Sequence, residues 1–296
     1  MTDNECFIFW KISNLFGKGE KIMRREKRSK ESEFEKTTEG KDSRRLADLF
    51  LKNYPNNSRF AEAYRTLRTN IHFSFMEKEF RSLLVTSAGA KEGKTNTVAN
   101  MGYTLSQAGK SVLMVDADLR KPMLTNLVPS KKSPGVTGII SALSEPDIQN
   151  EMAGGEEDMP LFQEKLDSAI LEVCDNLFLL PSGKHPPNPS EIMGSKGMSF
   201  LISYLKKKYD IVIIDTPPIL PASDAILLAP QTDGVVLMVK AGLLSRALIK
   251  KAVEQLWLAK ANLLGIVLNR LDIKKEGYYN KYYQKYYSGY YGKKYK

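Results

Sequence analysis

Gly93, Lys94 and Thr95 close the stretch Thr86-Ser87-Ala88-Gly89-Ala90-Lys91-Glu92-Gly93-Lys94-Thr95. Glycine, lysine and a hydroxyl in that order can hold a chain of phosphates. The ammonium of Lys94 would reach the β- and γ-phosphates, and the Thr95 hydroxyl would hold Mg²⁺. Two further places carry acid. Asp116 and Asp118 end the run Ser111-Val112-Leu113-Met114-Val115-Asp116-Ala117-Asp118-Leu119-Arg120, and Asp215 stands in Ile211-Val212-Ile213-Ile214-Asp215-Thr216-Pro217-Pro218. Carboxylates so placed can bind a hard cation or accept a proton. Each could also be no more than a cap for the next turn; two such runs behind one phosphate loop favour the chemistry.

Positioning these residues takes strands and helices. Leu83-Leu84-Val85 predicts a buried parallel strand before the loop. From Asn96 to Ala108, Val98, Met101, Leu105 and Ala108 repeat at helical spacing, and Gly109 supplies the stop. A strand, a glycine-bearing loop and a helix are the context in which Gly-Lys-Thr binds phosphate, since backbone N–H groups and the helix dipole both favour negative charge there. The alternative is a strand-to-helix turn with an incidental lysine. One departure is plain: the first glycine of the G-x-x-x-x-G-K-[ST] pattern falls on Ala88. The two acidic runs predict buried parallel strands whose C-terminal ends carry charge, where ligands of open α/β sheets sit. Further strands are expected at Leu177–Leu180, Gly234–Val239 and Leu263–Leu268, with helices at Met198–Lys207 and Arg246–Ala259. The alternation predicts an α/β fold: a parallel sheet, P-loop NTPase-like, with helices on both faces.

Upstream, Phe60, Tyr64, Leu67 and Ile71 share a narrow arc of a helix, with Glu62, Arg65 and Arg68 on the other side. Such a charged stripe is ordinarily a solvated face. Residues 181–192 are a rigid loop by composition, and His185 within it is expected to face solvent.

Of 296 residues, 42% are hydrophobic, enough for a sizeable core, and the net charge is +10. That charge sits at the ends: +3 over residues 1–57 and +6 over residues 273–296, leaving a nearly neutral body. Three segments follow: a poorly ordered charged leader (1–57), an ordered body (58–272) and a flexible tail (273–296). The leader's Phe7-Ile8-Phe9-Trp10 patch is either incidental or a docking segment. Cys6 and Cys174 have no metal-ligand spacing and suit a reducing cytoplasm. No apolar run reaches the roughly 18–20 residues that span a bilayer. The tail carries Tyr278, Tyr279, Tyr282, Tyr283, Tyr286, Tyr287, Tyr290, Tyr291 and Tyr295, four pairs every four residues and then a single one, interleaved with lysines. Aromatics among lysines could stack on single-stranded nucleic acid, but no RNA-binding module accompanies them. No nucleic acid partner is therefore expected, and accessible hydroxyls beside a nucleotide site point to phosphoacceptors.

Assembled, residues 54–296 resemble the bacterial tyrosine kinases that govern capsule and exopolysaccharide synthesis. The resemblance rests on Glu62-x-x-Arg65-x-x-Arg68, the Walker A loop through Thr95, and the Walker A′ strand ending Asp116-Ala117-Asp118-Leu119-Arg120. It rests also on Pro186-Pro187-Asn188-Pro189-Ser190-Glu191, the Walker B strand ending in Asp215, and the tyrosine cluster. It implies an ATP- and Mg²⁺-dependent protein-tyrosine kinase. Gly89, Ala90, Lys91, Glu92, Gly93, Lys94, Thr95 and Asn96 would bind the nucleotide, with Asn269 a candidate for the adenine. Lys94 would neutralise the transferred phosphoryl group, and Thr95, Asp118 and Asp215 would hold Mg²⁺. Asp116 would take the tyrosine proton, though Asp118 lies at the same strand end. The resemblance also implies a homo-oligomeric ring closed through Glu62, Arg65 and Arg68, with each tail phosphorylated by a neighbouring subunit. A separate membrane activator of polysaccharide export would recruit the cytoplasmic kinase to the inner face of the membrane, and a tyrosine phosphatase would oppose it. The rival is a spatial-organiser ATPase or a nucleotide-switched scaffold. The organisers' signature lysine, four residues before the glycine of Gly-Lys-Thr, is here Gly89.

Overall fold

A computed structural model describes residues 8–10, 50–75, 79–128, 132–155 and 159–269. The apolar runs become strands: β1 (Ile8–Trp10), β2 (Ser82–Ser87), β3 (Val112–Asp116), β4 (Leu171–Cys174), β5 (Leu177–Leu180), β6 (Ile211–Asp215), β7 (Gly234–Lys240) and β8 (Leu263–Asn269). They form one sheet in the order β1-β8-β7-β2-β6-β3-β5-β4. The six inner strands run parallel, while β1 on β8 and β4 on β5 are antiparallel edges. This order decides what the phosphate loop meets. β2 delivers it at mid-sheet, with the ends of β6 and β3 on one side and those of β7 and β8 on the other.

Side chains alternate across a strand, so both faces of each inner strand must be covered. Leu84 points into one apolar cluster, and Leu83 and Val85 point into the other. Two helices cover the second face: α1 (Arg59–Phe73) through Ala61, Tyr64, Leu67 and Ile71, and α2 (Lys94–Ser106) through Val98, Ala99, Met101 and Leu105. The first face is covered by α3 (Gly135–Ala142), α4 (Pro146–Gly154), α5 (Pro160–Ala169), α6 (Pro189–Met193), α7 (Lys196–Lys208), α8 (Asp224–Leu228) and α9 (Arg246–Leu258). Serines start three of the longer helices: Ser58, Ser195 and Ser245 each accept the backbone N–H three residues on.

The expected parallel sheet covered on both faces is the one found. Three features differ from expectation. Among the described residues the packed body includes Phe50 and Leu51, upstream of residue 58: Leu51 N donates to Asn100 Oδ1 at 2.7 Å, and the Phe50 ring meets Tyr103 edge-on. Their partners lie on α2, about fifty residues away in sequence, so charge in the flanking chain was a poor guide. Ile8–Trp10, inside the expected leader, pairs with β8. The loop at 181–192 is not irregular throughout; Pro189 opens α6, because its fixed φ suits the first helical position. The tyrosine tail lies outside the described residues.

At the opposite end of the sheet from the phosphate loop, Asp233 ties β7 to β2. Its Oδ2 accepts from Arg81 N, Ser82 N and Ser82 Oγ, and Oδ1 accepts from Lys206 Nζ. Burial alone would raise its pKa, but the hydrogen bonds from Lys206, Arg81 and Ser82 outweigh burial and hold it below the usual range. Asp233→Ala is therefore expected to cost about 2–3 kcal/mol at pH 7, read by urea unfolding. The folded value lies below the unfolded one, so the stabilisation is complete above about pH 4 and is lost as pH falls through the folded value. Variant and parent should converge over that acid range.

Candidate active site

The phosphate loop is held from beneath by its own chain. Ala88, standing where the motif has its first glycine, is fully buried and its methyl packs in the core, so the departure costs no space at the loop's surface. Lys91 (φ 61°) and Gly93 (φ 96°) turn through the left-handed region. A Cβ at Gly93 would sit 2.1 Å from Asn269 Nδ2, so only glycine fits there. Glu92 is fully buried: Oε2 accepts from Gly89 N at 2.7 Å and Oε1 from Lys240 N, at the end of β7. Burial raises its pKa against the pull of those N–H groups. Asn269, ending β8, donates through Nδ2 to Glu92 O at 2.9 Å. Both side chains thus brace the loop. The one atom Asn269 leaves for an adenine is Oδ1, which is buried without a hydrogen-bond partner.

Lys94 and Thr95 open α2. Thr95 Oγ1 donates to Asp215 Oδ2 at 2.7 Å. Asp215 and Asp116 are paired in register at the ends of β6 and β3, and both are fully buried. Asp116 Oδ2 accepts both Thr125 N and Thr125 Oγ1, each at 2.8 Å. The other oxygen of each aspartate, Oδ1, has no partner. Asp118 is 9% exposed and accepts Lys121 N at 3.0 Å. Burial is the main reason all three carboxyls sit above their ordinary range. Asp215 pushes Asp116 further up, whereas the Lys94 charge pulls Asp118 and Asp215 back down.

These groups are short of positive charge. The bare Oδ1 of Asp215, the Asp118 carboxylate and the Thr95 hydroxyl are the kind of donors a hard cation takes. Among the described residues no three acidic, histidine or cysteine side chains close around one ion. An open oxygen set of this kind fits magnesium, which keeps several of its waters. A phosphate chain fits the helix N-terminus beside it.

Gly89, Ala90, Lys91 and Asn96 lie on the same loop and first turn, so the sequence-predicted phosphate and acid residues are brought together. Glu62, Arg65 and Arg68 are on α1, away from the strand ends. Arg65 pairs with Glu62 at 2.8 Å and donates to the Asn56 carbonyl, and Arg68 donates to the Thr104 carbonyl. His185 is exposed, as expected.

Two groups escaped the sequence reading. One is Thr125. The other is a latch: Arg120 Nε and Nη2 grip Asp224 at 2.7 and 3.1 Å, and Ser190 Oγ joins Arg120 Nη2 and Asp224 Oδ1. Asp224 is buried, and the latch ties the Pro186–Glu191 loop to the Walker A′ turn. No sequence signal announces contacts 104 and 70 residues apart.

A family model described as an AAA domain matches residues 88–263. Tyrosine-protein kinase YwqD of Bacillus subtilis is 36% identical over 222 residues, 74% of this chain and 86% of that protein. The chain belongs to the bacterial tyrosine kinases. Tyrosine-protein kinase CpsD of Streptococcus pneumoniae is 34% identical over 73% of this chain and 87% of its own. Among solved structures, the chimerical protein CapA2B2 covers 76% of this chain and 90% of its own at TM-score 0.65 and 30% identity. The kinase domain of Escherichia coli tyrosine kinase ETK also reaches 0.65, at 28% identity over 75% of this chain and 80% of its own. A bacterial tyrosine kinase whose strand-end aspartates face each other pays in stability when its site is empty. Raised folded pKa values mean that Asp116 opposes folding increasingly as pH climbs above the unfolded carboxyl value. Asp116→Asn should therefore raise the melting temperature of the ligand-free protein at pH 8 by about 2–4 °C. The gain should fade toward pH 5, and calorimetry across pH decides it.

Proposed function

We propose that this chain transfers the γ-phosphoryl group of ATP to tyrosine hydroxyls, those of its own tail among them. The observation that carries the reading is the meeting of Lys94 and Thr95 with Asp116, Asp118 and Asp215 at two neighbouring strand ends. The loop's N–H groups and Lys94 would draw charge off the phosphates. Thr95, Asp118 and Asp215 would hold Mg²⁺, which supplies further charge neutralisation when bound. A tyrosine hydroxyl, with an ordinary pKa of about 10, is protonated at neutral pH and gains from a base. Asp116 would take that proton. The tyrosine oxygen then bonds to the γ-phosphorus, and the bond from phosphorus to the bridging oxygen breaks. ADP departs with the electron pair.

In this reading the catalytic body runs to residue 272, and Phe50 and Leu51 extend it upstream of residue 58. The acceptors are Tyr278, Tyr279, Tyr282, Tyr283, Tyr286, Tyr287, Tyr290, Tyr291 and Tyr295. They are reached from a neighbouring subunit of a ring in which Glu62, Arg65 and Arg68 contribute to the contact. Among the described residues no helix is long and apolar enough to cross a membrane. A separate membrane protein would recruit the kinase to the export machinery for a surface polysaccharide, and a phosphatase would reset the tail.

Lys94→Met should lower phosphotyrosine formation about 10²–10³-fold with the fold intact, because the lysine acts on phosphate and not on the core. Mass spectrometry after incubation with Mg-ATP reads it; near-normal labelling would remove the loop from the mechanism. ATP hydrolysis without phosphotyrosine in the parent protein would favour the spatial-organiser reading instead. Mixing the Lys94→Met chain with an active chain truncated before residue 273 should label the tyrosines of the inactive chain. No label there, with the intact enzyme still autophosphorylating, would place transfer within one chain.

A further inference from the structure

The strand order β2-β6-β3-β5 sets three things side by side at the C-terminal end of the sheet. The phosphate loop leaves β2, the acids end β6 and β3, and a proline-rich segment leaves β5 at Pro181. A group that comes to the acids from the side away from the nucleotide therefore passes that segment. The middle of the segment has little hold of its own. None of residues 184–191 is buried, and among the described residues no backbone hydrogen bond joins residues 184–187 to the fold. Its two ends fix it.

The near end is held by backbone. Pro181 O and Ser182 O accept Val136 N and Thr137 N at 2.7 and 3.1 Å, and Ser182 N donates to Thr125 Oγ1 at 3.3 Å. Gly183 (φ +82°) packs so closely there that a Cβ would lie 2.2 Å from Pro134 O. The far end is held by side chains. Ser190 Oγ donates to Asp224 Oδ1 at 2.6 Å and accepts from Arg120 Nη2 at 2.7 Å and Ser223 Oγ at 3.3 Å. One proton and two lone pairs are all that a serine hydroxyl has, so Ser190 is fully used. Asp224 is sealed, and Arg120 grips both its oxygens from the Walker A′ turn. A planar guanidinium suits such a two-pronged grip, and an ammonium does not.

We infer that Arg120 and Ser190 are positioning residues for the acceptor: their latch on Asp224 holds the proline-rich segment as the wall along which a tyrosine side chain reaches the acids. The inference rests on the kinase reading given above. Pro186, Pro187 and Pro189 give the wall an apolar surface, which suits an aromatic ring better than the small side chain of a serine. Proline also restricts the backbone, so with both ends held the middle has few places to go. With the far end released, the middle can turn about the fixed Gly183. The metal side does not depend on the latch in the same way. Asp118 is held within its own turn by Lys121 N, and Thr95 takes its partner from β6. Breaking the latch without changing its charge therefore separates the acceptor from the nucleotide.

Two measurements on the full chain test this. Ser190→Ala removes the bridging hydroxyl, and Arg120→Lys keeps the charge but loses the two-pronged grip. In either variant the amides within residues 184–191 should exchange with deuterium at least about tenfold faster in the ligand-free protein. With a peptide of residues 273–296 as acceptor, kcat/KM for the peptide should fall about 10–100-fold. The dissociation constant of a fluorescent ATP analogue and the Mg²⁺ concentration for half-maximal rate should stay within about twofold. Ser190→Thr, which keeps a hydroxyl, should restore both exchange and rate. Should a thermal melt show Ser190→Ala to be poorly folded, Arg120→Lys against the parent carries the comparison. Faster exchange with unchanged peptide kinetics would reveal a latch that the acceptor does not use, and would overturn the inference. Slowed kinetics with unchanged exchange would overturn it too, since the segment would not have moved. Equal losses in nucleotide affinity and peptide turnover, or a Ser190→Thr as impaired as the alanine variant, would make the latch a packing feature and end the proposal. A parent chain that hydrolyses ATP yet labels no tyrosine would instead remove the kinase reading itself, whatever the exchange shows.

Discussion

Two carboxylates, Asp116 and Asp215, stand opposite one another at the ends of adjacent parallel strands, both beyond the reach of bulk water. In water the pair would cost little; in a medium of low dielectric, each opposes ionisation of the other. The fold meets this with directed donors and one nearby countercharge. Thr125 gives two donors to one oxygen of Asp116, Thr95 gives one to Asp215 Oδ2, and Lys94 contributes its charge from the first turn of α2. What is left over, one bare oxygen on each acid, is the site's capacity for a cation and for a proton.

The phosphate loop obeys a complementary constraint. Those backbone N–H groups that are left free for a ligand cannot also hold its shape. The loop is held instead from its far side, by the Glu92 carboxylate reaching Gly89 N and Lys240 N and by Asn269 reaching the Glu92 carbonyl. A buried carboxylate is an expensive brace. It is tolerable because both oxygens are hydrogen-bonded, and glycine at 93 gives Asn269 room to pass. The sheet order brings this about: β7 and β8 end beside the loop on one flank, as β6 and β3 end beside it on the other.

The flank carrying the acids needs its own wall. The Pro181–Glu191 segment supplies it, pinned at one end by Ser182 on Thr125 and at the other by Ser190 on the Arg120–Asp224 pair. Proline limits the backbone freedom of such a segment, and the two polar pins fix its place. Both pins reach the stretch that follows β3, at Arg120 and Thr125, so the wall and the acids are tied to one segment.

The sequence by itself determined the inner strands, the main helices and the phosphate loop, because these depend on short-range patterns: apolar runs, helical repeats and a glycine before a lysine. It also determined that Lys94, Thr95, Asp116, Asp118 and Asp215 share one end of the sheet, since parallel strands joined by helices place all their C-terminal ends together. Tertiary structure alone decided what each side chain does there. Glu92 and Asn269, expected at the nucleotide, also brace the loop, because partners 148 and 177 residues away reach them. Phe50 and Leu51, set beside a charged leader, belong to the core because α2 offers them a face. The edge β4, Leu171–Cys174, escaped because Glu172 interrupts it, whereas β5, equally short, is apolar throughout. Thr125 carries no motif, and only a fold that lays its short helix across the end of β3 could give it the oxygen of Asp116 to hold.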